Sequence, residues 1–136
     1  MTVLIDTNVI LDHALRREPF AEAARDCLER LIIGKAKIYL TASTITDIYY
    51  ISRRTLGVHA AAKKLIAKLL NSFQIASVDR ADCVNALDVD TRDYEDALVS
   101  VCARKVKAEW IITRNTKHYT VSPVPAVTPE EFLKKE

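Results

Sequence analysis

Two hydrophobic periods alternate along the chain. Short apolar runs rich in β-branched residues are typical of buried strands, and they occur at residues 2–5, 37–41, 73–78, 109–113 and 124–127. Between these runs, apolar side chains recur every three or four positions, which predicts helices at residues 9–15, 21–33, 45–51, 58–71, 80–89 and 94–105. Because strands alternate with helices, the strands should be parallel and joined by right-handed crossovers. The pattern predicts an α/β fold, a three-layer α/β/α sandwich around a central parallel sheet of four to five strands.

Polar residues beside these segments predict where helices begin and end. Ser43 and Thr44 are good N-cap residues for the helix after the second strand, and Gly34 fits the end of the helix before it. The tetrapeptide TPEE at residues 128–131 combines a capping box with proline at the first helical position. It therefore predicts a terminal helix.

The composition fits a single folded unit. The 136 residues include only two glycines and four prolines, without a linker, repeat or low-complexity run, which predicts one domain over residues 1–136. No run of residues reaches the roughly 18 consecutive apolar positions of a membrane-spanning helix. The first residues lack the basic region of a signal peptide, so we expect a cytoplasmic protein without a membrane partner.

The spacing of cysteine and histidine indicates little chemistry. Cys27, Cys83 and Cys102 are odd in number and lie in predicted helices, so we expect buried free thiols rather than disulfides. The three histidines form no HxH or HExxH pair, which argues against a histidine-rich metal site. The basic residues form small groups within a net charge of +2, and such groups suit either a phosphate-bearing partner or a solvated surface.

Several acidic residues lie beside the predicted strands at positions that converge in space. Asp6 comes directly after the first strand, and Asp47 lies near the start of the helix that follows the second strand. Asp93 and Asp96 open the helix before the fourth strand and share one helical face. Because active sites of such sheets form beyond the carboxyl ends of the strands, these four carboxylates should meet at one edge. Asp12, one turn further along the chain, is expected to be a solvated or capping-face acid.

A cluster of carboxylates favours a divalent cation. Like charges destabilise one another and raise each other's pKa, and a cation offsets that cost. Mg²⁺ and Mn²⁺ prefer oxygen ligands and can polarise a phosphoryl oxygen, which suits phosphodiester hydrolysis without a cysteine, serine or histidine nucleophile. Taken singly, each acid also fits a helix N-cap or a favourable interaction with the helix dipole.

Several stretches of the sequence resemble the motifs of the PIN-domain family, particularly its VapC-like toxins. VLIDTNVILD resembles the first motif, TASTITDIYYI the second, and DYEDALVSVCARKVKAEWIITRN the third and fourth run together. The closing VTPEEFL resembles the family's C-terminus, so the likeness spans nearly the whole chain in the family's order. It implies a PIN-like fold with a Mg²⁺ or Mn²⁺ site for cleaving RNA.

The resemblance implies roles for individual residues. Asp6, Asp47 and Asp96 would be the catalytic acids and, with Asp93 as an auxiliary, the metal ligands. Asp47 stands where the family more often has Glu, so its shorter side chain suits coordination through a water. Asn115 stands where many members have Asp, which leaves one negative charge fewer to hold a metal.

Other residues are expected to orient the acids or the substrate. Thr7 and Asn8 could hydrogen-bond the carboxylates, a contact that fixes the orientation of metal ligands. Thr113 and Asn115 match the family's TRN or TRD motif, and the Asn115 carboxamide could orient a water. Arg114 could meet a substrate phosphate or simply face solvent.

The resulting hypothesis is a metal-dependent endoribonuclease, the toxin of a type II toxin–antitoxin pair, whose products carry 5′-phosphate and 3′-hydroxyl ends. Its expected partners are RNA, a cognate antitoxin and a second copy of the chain, with the surface around Tyr49 and Tyr50 as a contact. One alternative is a non-toxin RNA-processing nuclease, and another is a degenerate PIN domain that binds RNA or protein without cutting. A third is a phosphatase that forms an aspartyl-phosphate on Asp6, although Asn8 stands where such enzymes need a second acid.

Overall fold

A five-stranded parallel sheet forms the centre of the structure, a computed structural model that describes residues 1–135. The strands lie in the order β3-β2-β1-β4-β5, and every neighbouring pair is parallel. Their bounds are Thr2–Ile5 for β1, Lys37–Thr41 for β2, Gln74–Ala76 for β3, Trp110–Ile112 for β4 and Ala126–Val127 for β5. The predicted central parallel sheet is confirmed, with β1 in the middle.

Helices cover both faces of this sheet, as predicted. Their bounds are Thr7–Ala14 for α1, Ala21–Ile33 for α2, Ala42–Leu56 for α3, His59–Ser72 for α4, Arg80–Ala86 for α5, Tyr94–Lys105 for α6 and Pro129–Leu133 for α7. Val3 and Ile5 of β1 pack in the core with α1 to α4 and α7, whereas Leu4 between them packs on the opposite face with Val99 of α6. This alternation along one strand produces the three-layer sandwich. No helix within residues 1–135 is long and apolar enough to cross a membrane.

Some element boundaries differ from the prediction. The strands predicted at residues 73–78, 109–113 and 124–127 are shorter, and the helix predicted at residues 80–89 ends at Ala86. Thr113 lies outside β4, yet its amide still donates to the Val127 carbonyl while its hydroxyl turns toward Asp6. A short 3₁₀ helix at Thr116–Tyr119 was not predicted, because four residues are too few to show a period.

The start of α3 is the main local correction. Its N-cap is Thr41, the last residue of β2, rather than Ser43 or Thr44. The Thr41 hydroxyl oxygen accepts a hydrogen bond from the Thr44 amide at 3.2 Å and lies 2.5 Å from the Thr44 hydroxyl. The chain therefore passes from strand to helix without a loop, and Asp47 is the sixth residue of α3. Gly57 ends α3 in the left-handed conformation that favours glycine, with φ of 73°.

The cysteines are free thiols, as predicted, but they are not all buried. Cys27 in α2 and Cys102 in α6 are buried, and burial raises their thiol pKa values to about 12 and about 11. Cys83 in α5 is only half-buried, which corrects the prediction for that residue. A short amphipathic helix at the surface does not enclose every apolar side chain.

Thr41→Ala should lower the free energy of unfolding by about 1–2 kcal/mol, because α3 loses the side chain that caps its first turn. Ser43→Ala, two residues later on the same helix, should change it by less than about 0.5 kcal/mol. Equilibrium urea unfolding followed by circular dichroism measures both variants. Equal losses in the two would mean that Thr41 is not the dominant cap.

Candidate active site

Asp6 lies at the centre of the carboxyl edge of the sheet. It follows β1 directly, serves as the N-cap of α1, and is only 8% exposed. Its Oδ1 accepts a hydrogen bond from the Thr7 amide at 2.8 Å. Its Oδ2 accepts from the Thr113 hydroxyl at 2.8 Å, the Tyr119 hydroxyl at 3.1 Å and the Asn8 amide at 3.4 Å.

These contacts set opposing effects on the protonation of Asp6. Burial raises the pKa of the carboxyl, because a charged group loses hydration there. The hydrogen bonds from Thr113, from the Thr7 amide and from Tyr119 oppose this rise, but the pKa stays above its ordinary value. Asp6 is therefore held in a fixed orientation, and nearby positive charge would stabilise its ionised form.

The second group of acids lies at the start of α6. Asp93 caps this helix, and its Oδ1 accepts a hydrogen bond from the Asp96 amide at 3.2 Å. Asp96 is half-buried, and its Oδ2 lies 2.8 Å from the Nδ1 atom of His118. Burial raises the pKa of Asp96, and the negative charges of Asp6 and Asp93 raise it further.

The Tyr119 hydroxyl joins Asp6 to Asp96. It lies 3.1 Å from Asp6 Oδ2 and 3.1 Å from Asp96 Oδ1. The hydroxyl is the donor in both contacts, so its one proton faces two carboxylate oxygens. Burial and the two acids also raise the pKa of Tyr119, which keeps its hydroxyl protonated. The tyrosine hydroxyl therefore links the two acids.

Asp47 joins the acids through Glu95. A hydrogen bond between the side chains of Glu95 and Asp47, together with burial and the charge of Asp47, raises the pKa of Glu95 to about 7. The charges of Asp93 and Asp6 raise it further, so three of the four predicted acids act on Glu95.

The donor atoms of this cluster fit a divalent cation. One ligand atom each from Asp93, Asp96 and His118 lie within 4.8 Å of one another. The cluster consists mainly of carboxylate oxygens, the ligands that Mg²⁺ and Mn²⁺ prefer. Burial raises the pKa values of Asp6 and Asp96, and neighbouring negative charges add to the rise for Asp6, Asp96 and Glu95, an addition that a cation would oppose. A buried and unpaired polar atom, the Thr7 hydroxyl oxygen, lies in the residue next to Asp6.

The predicted supporting residues have unequal roles. Asn8 and Thr113 contact Asp6 through their side chains, as expected, and Asn8 also accepts a hydrogen bond from the Arg114 amide at 3.1 Å. Thr7 contacts Asp6 through its backbone amide, not through its hydroxyl. The Asn115 side chain is exposed and makes no hydrogen bond within residues 1–135.

Asp12 and Arg114 form an ion pair beside the acids. Asp12 was expected to be a solvated or capping-face acid, but it is 1% exposed and paired with Arg17 and Arg114, which corrects that expectation. Arg114, expected to meet a substrate phosphate or to face solvent, is 28% exposed, and its guanidinium holds the Asp12 carboxylate at 2.6 Å. Both residues are fixed parts of the region beside the acids.

The sequence interpretation did not identify Glu95, His118 and Tyr119. Asp93 and Asp96 are three residues apart and share one helical face, and Glu95 lies outside that spacing. His118 was set aside for lack of a histidine partner nearby in sequence, yet its partner is Asp96, 22 residues away. The local signal for His118 and Tyr119 was a polar and aromatic pair two residues after the TRNT segment.

Comparison with known proteins decides the family. The sequence profile of the PIN domain matches residues 2–117, which is most of the chain. The chain belongs to the PIN domain family. The matched segment of the PIN domain contains the four predicted acids and ends one residue before His118.

Individual proteins resemble this chain over nearly its whole length. Ribonuclease VapC1 of Aquifex aeolicus (strain VF5) is 25% identical over 138 residues, which cover 98% of this chain and 94% of the relative. A toxin–antitoxin complex from Klebsiella pneumoniae contains a chain with a TM-score of 0.72 and 21% identity, covering 93% of this chain and 97% of that one. VapBC2 from Rickettsia felis, bound to a DNA fragment from its promoter, gives a TM-score of 0.75 at 12% identity, with coverage of 94% and 98%. These structures confirm the PIN-like fold.

The raised pKa of Glu95 should lower the stability of the metal-free protein as the pH rises from about 4.5 to about 7. In the unfolded chain Glu95 ionises near its ordinary pKa of 4.5, whereas in the folded protein it keeps its proton until about pH 7. The folded state therefore binds more protons in this range, and its free energy of unfolding falls with rising pH. Glu95→Gln should reduce this slope in urea titrations performed in EDTA.

The slope should not vanish in that variant, because the raised pKa values of Asp6 and Asp96 act with the same sign. Glu22→Gln, an exposed change on α2, should leave the wild-type slope intact. If Glu95→Gln and Glu22→Gln gave the same slope, the pKa of Glu95 would not be raised in the folded protein.

Proposed function

We propose that this PIN domain, spanning residues 1–136, is a divalent-metal-dependent endoribonuclease. The observation that carries the proposal is the convergence of Asp6 and Asp96 on the Tyr119 hydroxyl at the carboxyl edge of the sheet. Such a cluster is costly unless a cation or a proton compensates it. Membership of the family and the name of the similar Aquifex protein, a ribonuclease, support RNA as the substrate.

Asp6, Asp96, Asp47 and Asp93 would hold Mg²⁺ or Mn²⁺. Glu95, which shares the site with Asp47, adds a fifth carboxyl from the chain. A bound ion supplies charge stabilisation at the phosphoryl group and lowers the pKa of a nearby water. The loss of charge at Asn115 is offset in this proposal by Glu95, so the chain does not need an acid there.

The surrounding residues fix the geometry in which the acids act. Thr113, Asn8 and the Thr7 amide together hold both oxygens of Asp6, which prevents rotation of the carboxylate. His118 holds Asp96 from the solvent side, because its ring is about half exposed whereas Asp96 is largely covered. Held in this way, the acids need little reorganisation when substrate binds, which is how preorganised sites gain their catalytic advantage.

The proposal extends to the role of a toxin held by an antitoxin. The similar Klebsiella and Rickettsia chains come from toxin–antitoxin complexes by their titles, which supports such a partner. Large hydrophobic side chains are exposed along α3 and at the α3–α4 turn, and they include Tyr50, Leu56 and Val58. Apolar groups exposed close together are typical of protein contact surfaces.

Asp6→Asn and Asp96→Asn should each reduce metal-dependent cleavage of a mixed RNA pool by more than about 100-fold, because each removes a proposed metal ligand. Residues that only hydrogen-bond such ligands usually cost about 10- to 100-fold. Wild-type protein should cut with Mg²⁺ or Mn²⁺ and not in EDTA, and its products should carry 5′-phosphate and 3′-hydroxyl ends. Asp88→Asn, an exposed acid after α5, is the matched control and should cut as wild type.

Circular dichroism and thermal denaturation must show that the variants fold. Full activity in either Asp6→Asn or Asp96→Asn would overturn the assignment of the site. Products with a 2′,3′-cyclic phosphate would argue for metal-free chemistry through the 2′-hydroxyl. RNA binding by folded wild type without any cutting would favour the degenerate binding module instead.

A further inference from the structure

A buried ion-pair cluster lies directly beside the acidic site. Asp12, on α1, is 1% exposed, and two arginines hold its carboxylate. Arg114 donates from Nε to Oδ2 at 2.6 Å and from Nη2 to Oδ1 at 3.2 Å. Arg17 donates from Nε to Oδ1 at 2.8 Å. We call Asp12, Arg17 and Arg114 the arginine cluster.

The arginine cluster contains more positive charge than its carboxylate requires. Arg114 alone contacts both oxygens of Asp12, so one guanidinium already neutralises the buried acid. Arg17 adds a second guanidinium, which leaves one net positive charge on the cluster. Arg17 and Arg114 are 35% and 28% exposed, and the Nη1 atoms of both make no hydrogen bond within residues 1–135. The cluster therefore presents charge and free donors to solvent.

The orientation of both arginines is fixed by further contacts. The Arg114 guanidinium carbon lies 4.0 Å from the centre of the Phe20 ring, a cation–π contact. Arg17 donates from Nη2 to the Asn8 carbonyl at 3.2 Å. Side chains held on this many contacts lose little rotational freedom when they bind a ligand.

Asn8 connects the arginine cluster to the acidic site. Its side-chain amide donates to Asp6, its side-chain oxygen accepts from the Arg114 amide, and its carbonyl accepts from Arg17. One residue thus separates the positive cluster from the central acid. A polyanion approaching the acids is repelled by them, and an adjacent fixed positive charge offsets that repulsion.

We propose that the arginine cluster binds a backbone phosphate of single-stranded RNA next to the phosphate that is cut. This inference rests on the proposed ribonuclease function and assigns the residues that position its substrate. Guanidinium groups present paired donors that match phosphate oxygens, and their charge persists at all physiological pH values. Asp12 acts as a positioning residue, because it orients both arginines and does not face the substrate.

The test is RNA binding as a function of salt, measured by fluorescence anisotropy with a short labelled single-stranded RNA of mixed sequence. EDTA is present, so binding is observed without cleavage. Over about 50 to 200 mM salt, each phosphate contact of a single strand adds roughly 0.7 to the slope of log affinity against log salt. Arg17→Gln should lower that slope by about 0.7 and weaken binding by about tenfold.

Arg25→Gln is the matched control, since it removes the same charge from an exposed arginine whose hydrogen bonds go to Asp26. It should keep the wild-type slope and affinity. Identical slopes for Arg17→Gln and Arg25→Gln would overturn the proposal.

If Arg17→Gln does not fold, Arg17→Lys keeps the charge but removes the paired donors. Weaker binding at the wild-type slope supports the proposal in that case, and wild-type affinity overturns it. Cleavage assays on the same preparations separate the two claims. Cutting by wild type with no effect of Arg17→Gln on binding overturns only the phosphate site, whereas the expected slope change without any cutting overturns only the nuclease.

Discussion

The buried carboxylate of Asp6 is the constraint on which the site depends. It stands where the central strand β1 ends, and its two oxygens need donors that water cannot supply at 8% exposure. The donors come from the start of α1, from Thr113 after β4, and from Tyr119 in the 3₁₀ helix. The site therefore depends on the order of strands in the sheet, because β4 must lie beside β1 for Thr113 to reach Asp6.

The same arrangement lowers the stability of the folded protein, because it gathers like charges. Asp96, Asp93 and the Asp47–Glu95 pair bring further negative charge to the region, and the pKa values of Asp96 and Glu95 rise in response. Residues selected only for stability would not be gathered in this way, and departures from local stability are expected at functional sites. Positive charge bound among these acids would lower that cost.

Sequence reasoning predicted what depends on local periodicity and strand order. The bounds of β1, β2, α2 and α6 matched, and the convergence of Asp6 with Asp96 followed from the rule for parallel sheets. It missed what depends on distant partners. Glu95 acquires its pKa from Asp47 in another helix, and His118 meets Asp96 only after the chain has passed through β4. Thr41 was overlooked as a cap because a strand residue gives no sign that a helix follows without a loop.

Asn8 shows why the acidic and basic regions can lie so close together, and it bears on the aspartyl-phosphate alternative. Its side-chain amide donates to Asp6 while its oxygen accepts from the Arg114 backbone, and a carboxylate at this position could do only the second. A second acid there would replace a donor to Asp6 with a repelling charge. The donor that Asp6 receives from position 8 therefore argues against the aspartyl-phosphate alternative, which needs an acid at that position.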